Sequence, residues 1–260
     1  MNSQAKKPLA KTWRAIIEFG MLQENDHILV GFSGGKDSMF MLWALAMIKQ
    51  HAPFSFDISA FTLDPGFSEL FPAQQLSNFC SKFNIRHYHE HVQINKLIEQ
   101  TGKSPCYTCS YFRRGATARM AKQLGANKIA LAHHGDDAVE TFFMNITMSG
   151  QLRTFLPITW LSNKELHVIR PLLYYREEEI RQHVKELGFV PLKNPCPHDG
   201  QTIRQDAKEQ IEQLENLSPR LYDNLFAAMR QANNIELWPE KLSKQQDIDK
   251  FRLFWHKNKN

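Results

Sequence analysis

A chain of 260 residues can bury a sizeable core and supports one domain, or one domain with a smaller appendage. Its hydrophobic content of 42% fits a soluble globular protein, and the longest apolar run, Met39 to Ile48, is too short to cross a bilayer, which excludes membrane-spanning classes. The net charge of +5 permits a polyanionic partner without requiring one.

The opening residues carry Lys6, Lys7 and Lys11, then Trp13, Ile16 and Ile17 at helical spacing, so residues 1–26 read as an N-terminal helix and not as an export signal. A cytoplasmic address is the expectation. The four cysteines, Cys80, Cys106, Cys109 and Cys196, are then expected as thiols or metal ligands and not as disulfides.

Five β-rich runs follow, at 27–32, 56–63, 85–92, 128–132 and 166–170, with helical patterns at 36–50, 69–83 and 111–124 between the first four and another at 136–148. This alternation predicts an α/β fold with a mainly parallel five-stranded sheet flanked by helices over residues 27–175. From 176 to 260 the strands stop and a helical C-terminal region with a basic tail is predicted. It holds a helix at 176–187 stopped by Gly188, a loop at 190–200 with three prolines, and two further helices, the second capped by Ser218-Pro219.

The stretch GFSGGKDS, residues 31–38, joins the first strand to the next helix. Ser33, Gly34 and Gly35 let the backbone turn tightly, so that successive N–H groups converge at a helix N-terminus and form an anion site. The spacing is not that of a Walker loop: three residues separate Gly31 from Gly35, and Asp37 stands where Ser or Thr belongs. The plain alternative is a tight strand-to-helix turn. A carboxylate beside phosphates needs a cation between them, so Asp37 is predicted to contact Mg²⁺, with Lys36 as a point charge and Ser33 and Ser38 as hydroxyl donors.

Cys106-Tyr-Thr-Cys109 has the two-residue spacing that lets both sulfurs reach one metal centre, and Cys196 lies on the proline-rich loop. A redox pair, ordinary buried thiols, or a zinc site closed by His198 are the alternatives. Cys80 falls on a stripe with Leu76, Phe79 and Phe83 and reads as core. His87, His89 and His91 alternate along one strand, which reads as an ordinary part-exposed strand before it reads as a metal site. Asp136 and Asp137 follow the fourth strand, in the crevice where open α/β sheets bind ligands, or else cap the next helix. His133 and His134 contact a base or fill the strand end. Asp64 reaches the site or starts the Asp-Pro-Gly turn. Arg113 and Arg114 place two cations near the CxxC, or are simply solvated. Arg153, Arg170, Arg204, Lys208 and the basic tail are candidates to follow a nucleic-acid backbone.

SGGKDS resembles the PP-loop of the N-type ATP pyrophosphatases, which implies a Rossmann-like (adenine nucleotide alpha hydrolase-like) fold and adenylation of a substrate oxygen. With PCYTCSYFRRG at 105–115, LAHHGDDAVETFFMN at 131–145, VIRPLLYYREEEI at 168–180 and NPC at 194–196, the chain is similar to the tRNA 2-thiocytidine biosynthesis (TtcA-like) family from about residue 13 to 232. The family pattern places a second cysteine soon after the one matching Cys196, where this chain has Pro197-His198-Asp199.

The resemblance implies an ATP-dependent tRNA sulfurtransferase that adenylates the C2 oxygen of a cytidine, position 32 in the family, and replaces it with sulfur. It also implies a 4Fe-4S cluster on Cys106, Cys109 and Cys196, and ATP held by residues 33–38 with Asp64, Arg113, Arg114, His133, Asp136 and Asp137, of which Asp137 is the preferred nucleotide or Mg²⁺ contact. The partners implied are tRNA and a sulfur donor such as a cysteine desulfurase, with a homodimer as a candidate assembly. Two other readings share the residues: a lysidine-synthetase-like or thiouridine-forming enzyme, and a non-catalytic nucleotide-binding iron-sulfur or zinc module.

Overall fold

The computed structural model describes residues 3–67, 71–102, 104–193, 196–197, 202–230 and 243–257. It divides into two compact units, residues 1–229 and 230–260. The second unit contains helix α10, Lys244–Lys257. The helices that follow residue 176 therefore share one unit with the sheet up to residue 229, where the sequence pattern had suggested a boundary at 175/176. No helix among the described residues is long and apolar enough to cross a membrane.

Five strands run parallel: β1 (His27–Gly31), β2 (Asp57–Asp64), β3 (Arg86–His91), β4 (Lys128–Ala130) and, in register with β4, β6 (Leu166–Ile169). A sixth, β5 (Ile158–Leu161), pairs antiparallel with β6 at the edge, giving the order β3-β2-β1-β4-β6-β5. The sheet thus has one strand more than the five expected. Four residues between a proline and a short 3-10 turn at Ser162–Lys164 carry too little alternation to announce a strand.

Helix α2 (Lys36–Lys49) follows β1 and is buried on every side from Met39 to Ala46, which explains its unbroken apolar run. It packs between the sheet, α1 (Ser3–Phe19) and α7 (Glu177–Glu186), sharing one core with Leu9, Ile16, Ile180 and Val184. Each fully buried Leu, Ile or Phe there contributes about 1.5–3 kcal/mol. On the other face α5 (Pro105–Gln123) lays Ala116, Ala118 and Ala121 on Leu29, Phe61, Ile129 and Val168, and the small side chains let the helix come close to the sheet. The remaining helices of this unit are α3 (Ala73–Ser81), α4 (Ile94–Thr101), α6 (Gly135–Ser149), α8 (Ile203–Leu217) and α9 (Leu221–Ala228). Helix α9 begins after Arg220, two residues later than a Ser218 cap predicts.

At the amino ends of the strands, Lys128 and Asp26 form a buried ion pair at 2.6 Å; Lys128 also donates to Met21 O, and Asn127 Nδ2 donates to Asp26 Oδ1. At the carboxyl ends, β1 is flanked by β2 and β4, so the chain reverses its winding direction beside β1. That crevice is where doubly wound sheets bind ligands.

Candidate active site

The turn after β1 has the geometry of an anion cradle. Gly34 sits at φ +77°, where a Cβ would fall 2.6 Å from Leu76 Cδ2 and 2.8 Å from Leu192 Cδ1, so only glycine fits. Gly35 caps α2 without a side-chain bond, leaving the first N–H groups of the helix available. Ser33 and Ser38 hydroxyls lie 3.1 Å apart across the loop, Ser33 Oγ accepts from Gly35 N at 3.3 Å, and Ser38 Oγ donates to Gly35 O at 3.0 Å. The tight strand-to-helix turn is the one the sequence predicts.

Lys36 Nζ bonds Asp37 Oδ2 at 2.9 Å and Glu177 Oε1 at 3.0 Å. Burial alone would lower the lysine, but the two carboxylates outweigh it and hold its ammonium above the ordinary value. Glu177 is in turn bonded by Lys208 at 2.5 Å and Arg181 at 3.1 Å. Burial works to raise Glu177, yet the bonds from Lys208 and Lys36 bring it down to about 2. Nothing in the local sequence around Glu177 announces this role; the partner lies on a distant element.

Asp37 Oδ1 is buried and has no hydrogen-bond partner among the described residues. His134 Nε2 lies 3.9 Å from it and 3.5 Å from Asp137 Oδ2. A buried carboxylate oxygen without a donor suits a cation, so the site fits Mg²⁺ by its donor chemistry. The two aspartates at the start of α6 separate in role. Asp136 gives both oxygens to the start of α7, Oδ1 to Arg176 Nε at 2.8 Å and Oδ2 to Glu177 N at 2.6 Å. It is a cap in trans, and its carboxylate faces α7 and not the loop. Asp137 accepts from His134 N at 2.9 Å, and its other oxygen lies 3.4 Å from Arg204.

Gly135 N donates to Tyr175 O at 2.9 Å, and a Cβ on Gly135 would collide with the Tyr222 hydroxyl. Arg176 holds this corner together by stacking on Tyr222 at 3.5 Å and pairing with Glu215. A 410 Å³ cavity lined by Asp136, Glu140, Arg176, Glu177, Lys208 and Tyr222 lies between α6, α7 and α8; its walls contain none of residues 33–38.

Other predicted residues sit elsewhere. Asp64 accepts from Gly66 N at 2.9 Å and from His91 Nδ1 at 2.7 Å, so its carboxylate serves the turn and β3. His87 bonds Thr62 and Ser77, and burial lowers it to about 4, which makes it a neutral packing residue. His133 packs on Phe155 with ring centroids 5.1 Å apart, and burial lowers it to about 4. Of the basic residues proposed to follow RNA, Arg170 is buried against Leu156 O and Thr159, Arg204 bridges Asp137 and Glu140, and Lys208 holds Glu177. Arg170 is internal, whereas Arg204 is exposed and Lys208 partly so, each tied to carboxylates of α6 or α7. Cys80 is buried, and burial pushes its thiol up to about 12.

The CxxC lies at the start of α5, which begins at Pro105, six residues before the expected start, capped by Ser104. Cys106 is exposed and Cys109 partly so, one turn apart on the helix end whose dipole favours anionic groups. Arg113 Nη2 is 3.7 Å from Cys109 Sγ, while Arg114 turns back to Ser110 O at 3.2 Å. Cys196 is partly buried on the segment between α7 and α8. Among the described residues no group of three or more His, Cys, Asp or Glu side chains is arranged to hold a metal ion, so the three cysteines are not gathered at one point. The donor chemistry still suits an iron-sulfur cluster: two accessible thiols at CxxC spacing beside a guanidinium. His198 and Asp199 lie outside the described residues.

A PP-loop domain family matches residues 1–219. Similar curated proteins include the tRNA-cytidine(32) 2-sulfurtransferase of Ralstonia pickettii (strain 12J), 37% identical over 225 residues, 84% of this chain and 70% of that protein. The enzyme of the same name from Alcanivorax borkumensis (strain ATCC 700651 / DSM 11573 / NCIMB 13689 / SK2) is 35% identical over 235 residues, 88% and 82%. Among solved structures, the U34-tRNA thiolase NcsA from Methanococcus maripaludis with its 4Fe-4S cluster aligns at a TM-score of 0.74 and 21% identity, over 92% of this chain and 83% of that one. The NH3-dependent NAD synthetase of Campylobacter jejuni aligns at 0.50 and 15%, over 94% and 100%. These two share the fold.

Proposed function

The chain belongs to the PP-loop domain family and to the tRNA-cytidine(32) 2-sulfurtransferases within it, and on that premise we propose that it is an ATP-dependent tRNA 2-thiolation enzyme. The observation that supports this reading most directly is Asp37 Oδ1, buried and without a donor, in a glycine cradle at the carboxyl ends of the strands.

Binding begins with the first turn of α2, whose N–H groups and the Ser33 and Ser38 hydroxyls take phosphate oxygens. Lys36 neutralises part of their charge, and Glu177 fixes where its ammonium points. Asp37, with Asp137 nearby, would hold Mg²⁺ between its carboxylate and the phosphates. The C2 oxygen of the cytidine attacks the α-phosphorus, pyrophosphate leaves, and a poor leaving oxygen becomes part of AMP. Hydrosulfide then adds at C2, the C2–O bond breaks so that AMP leaves with the former C2 oxygen, and loss of the S–H proton gives the 2-thio group.

Cys106, Cys109 and Cys196 would hold the 4Fe-4S cluster, which when bound supplies Lewis-acid chemistry and a carrier for the sulfur nucleophile. An external sulfur donor such as a cysteine desulfurase, a cytoplasmic location and a homodimer belong to the same proposal.

The test is pyrophosphate release by the anaerobically prepared protein with ATP and unmodified tRNA, followed by mass spectrometry of the tRNA nucleosides. The expected result is tRNA-dependent release and one 2-thiocytidine per tRNA. Release that ignores tRNA, or no thiolated cytidine, overturns it.

A further inference from the structure

Helix α5 turns Cys106, Tyr107, Ser110, Tyr111, Arg113 and Arg114 to solvent as one continuous face, while Thr108 and Ala116 to Ala118 are buried. Two of these are large aromatics: Tyr107 is 49% exposed and Tyr111 59%. At a spacing of four residues their rings stack, with centroids 6.4 Å apart and planes 14° from parallel. Phe112 packs edge-on against Tyr111 at 5.5 Å, which steadies that ring from the protein side.

The helix that carries this pair has no acidic residue of its own: no Asp or Glu occurs from residue 100 to 135. Of the basic residues there, Arg113 and Arg114 share the exposed face with the tyrosines, while Arg119 pairs with Glu90, Lys122 with Glu165 and Lys128 with Asp26. Arg114 lies one turn beyond Tyr111 with its guanidinium bonded to Ser110 O, on the aromatic side of the helix. A protein-binding patch would surround such rings with apolar neighbours; here the neighbours are a serine, two arginines and two thiols. Flat, parallel rings flanked by guanidinium groups are what an unpaired nucleotide needs, because every base offers a π-face and every linkage a phosphate.

We propose that Tyr107 and Tyr111 form a stacking platform for an unpaired base of the RNA substrate, with Arg113 and Arg114 on the adjoining phosphates. The platform rests on the thiolation reading above and deepens it: it brings single-stranded RNA to the turn that carries Cys106 and Cys109.

The test measures the affinity of full-length protein for an unmodified tRNA transcript, with ATP binding and thermal melting measured in parallel. The Tyr107→Ala/Tyr111→Ala double variant is expected to bind tRNA about 10- to 100-fold more weakly, and the Tyr107→Phe/Tyr111→Phe variant within about threefold of wild type. ATP affinity and melting temperature stay unchanged in both. Arg113→Gln/Arg114→Gln is expected to flatten the salt dependence of tRNA binding by about one to two counterions, which the tyrosine variants do not. Wild-type tRNA affinity in the double alanine variant overturns the platform, and a change in self-association with tRNA affinity unchanged overturns it in favour of a protein contact. A wild-type protein that binds ATP but no tRNA instead overturns the thiolation reading.

Discussion

Lys36 Nζ lies 3.0 Å from Glu177 Oε1, so the cation of the glycine loop is aimed by a carboxylate from a helix far along the chain. Replacing Glu177 by Gln keeps the size of the side chain and removes the charge that both Lys36 and Lys208 use. The expected result is a fall of about 10- to 100-fold in tRNA-dependent pyrophosphate release, because a small displacement of a positioned group costs that much. ATP affinity changes by less than about threefold, since the charge on Lys36 remains. Steady-state kinetics beside equilibrium ATP binding separates the two, and a variant as fast as wild type would remove Glu177 from this role.

Gly34 and Gly20 both adopt positive φ, +77° and +61°, but only Gly34 is crowded. Gly34→Ala is expected to cost about 2–4 kcal/mol, combining left-handed strain with overpacking against Leu76 and Leu192, and to abolish ATP binding. Gly20→Ala, with open space around it, is expected to cost about 1–2 kcal/mol and to bind ATP normally. Chemical denaturation and ATP titration of both variants check the pair.

Iron analysis after anaerobic preparation is expected to give about four irons per chain in the wild type. Cys106→Ser, Cys109→Ser and Cys196→Ser are each expected to lose most of it, with secondary structure unchanged by circular dichroism. Cys80→Ser, inside the core, is expected to keep its iron and lose stability instead. One zinc per chain in all four variants would contradict the cluster.

His87 is held neutral by burial, at about 4 against an ordinary value of 6.5. The unfolded chain therefore binds a proton at this residue over a range where the folded protein does not. Its contribution is complete above about pH 6.5 and is lost progressively as pH falls to about 4. Replacing His87 by Gln is expected to flatten the stability-pH curve across that window, measured by urea unfolding at successive pH values. A curve with unchanged slope would mean that another group carries the acid sensitivity.

The cradle was legible because its parts are contiguous: Ser33 to Ser38 build both turn and helix start, and no distant residue is needed to see it. Asp136 was legible only as far as its place at the head of α6. That its carboxylate would cap α7 depends on Arg176 and Glu177, which lie on another element. The same reason hid Glu177, and it made Arg204 and Lys208 look like free surface charge when they are tied to carboxylates. Helix α5 starts at Pro105, but the apolar pattern that identifies a helix begins only further on, so the expected start fell at residue 111, after the CxxC. Strand β5 has four residues and pairs with a neighbour found only in three dimensions.

Ribosomes deliver a chain from its amino end. The glycine turn emerges first, Asp136 much later, and Glu177 and Lys208 later still, so the ammonium of Lys36 receives its distant counter-charge only when α7 and α8 have been made. A chain not yet extended to Glu177 carries a loop whose cation answers to Asp37 alone. The electrostatics of the loop are thus finished by residues translated long after the loop itself.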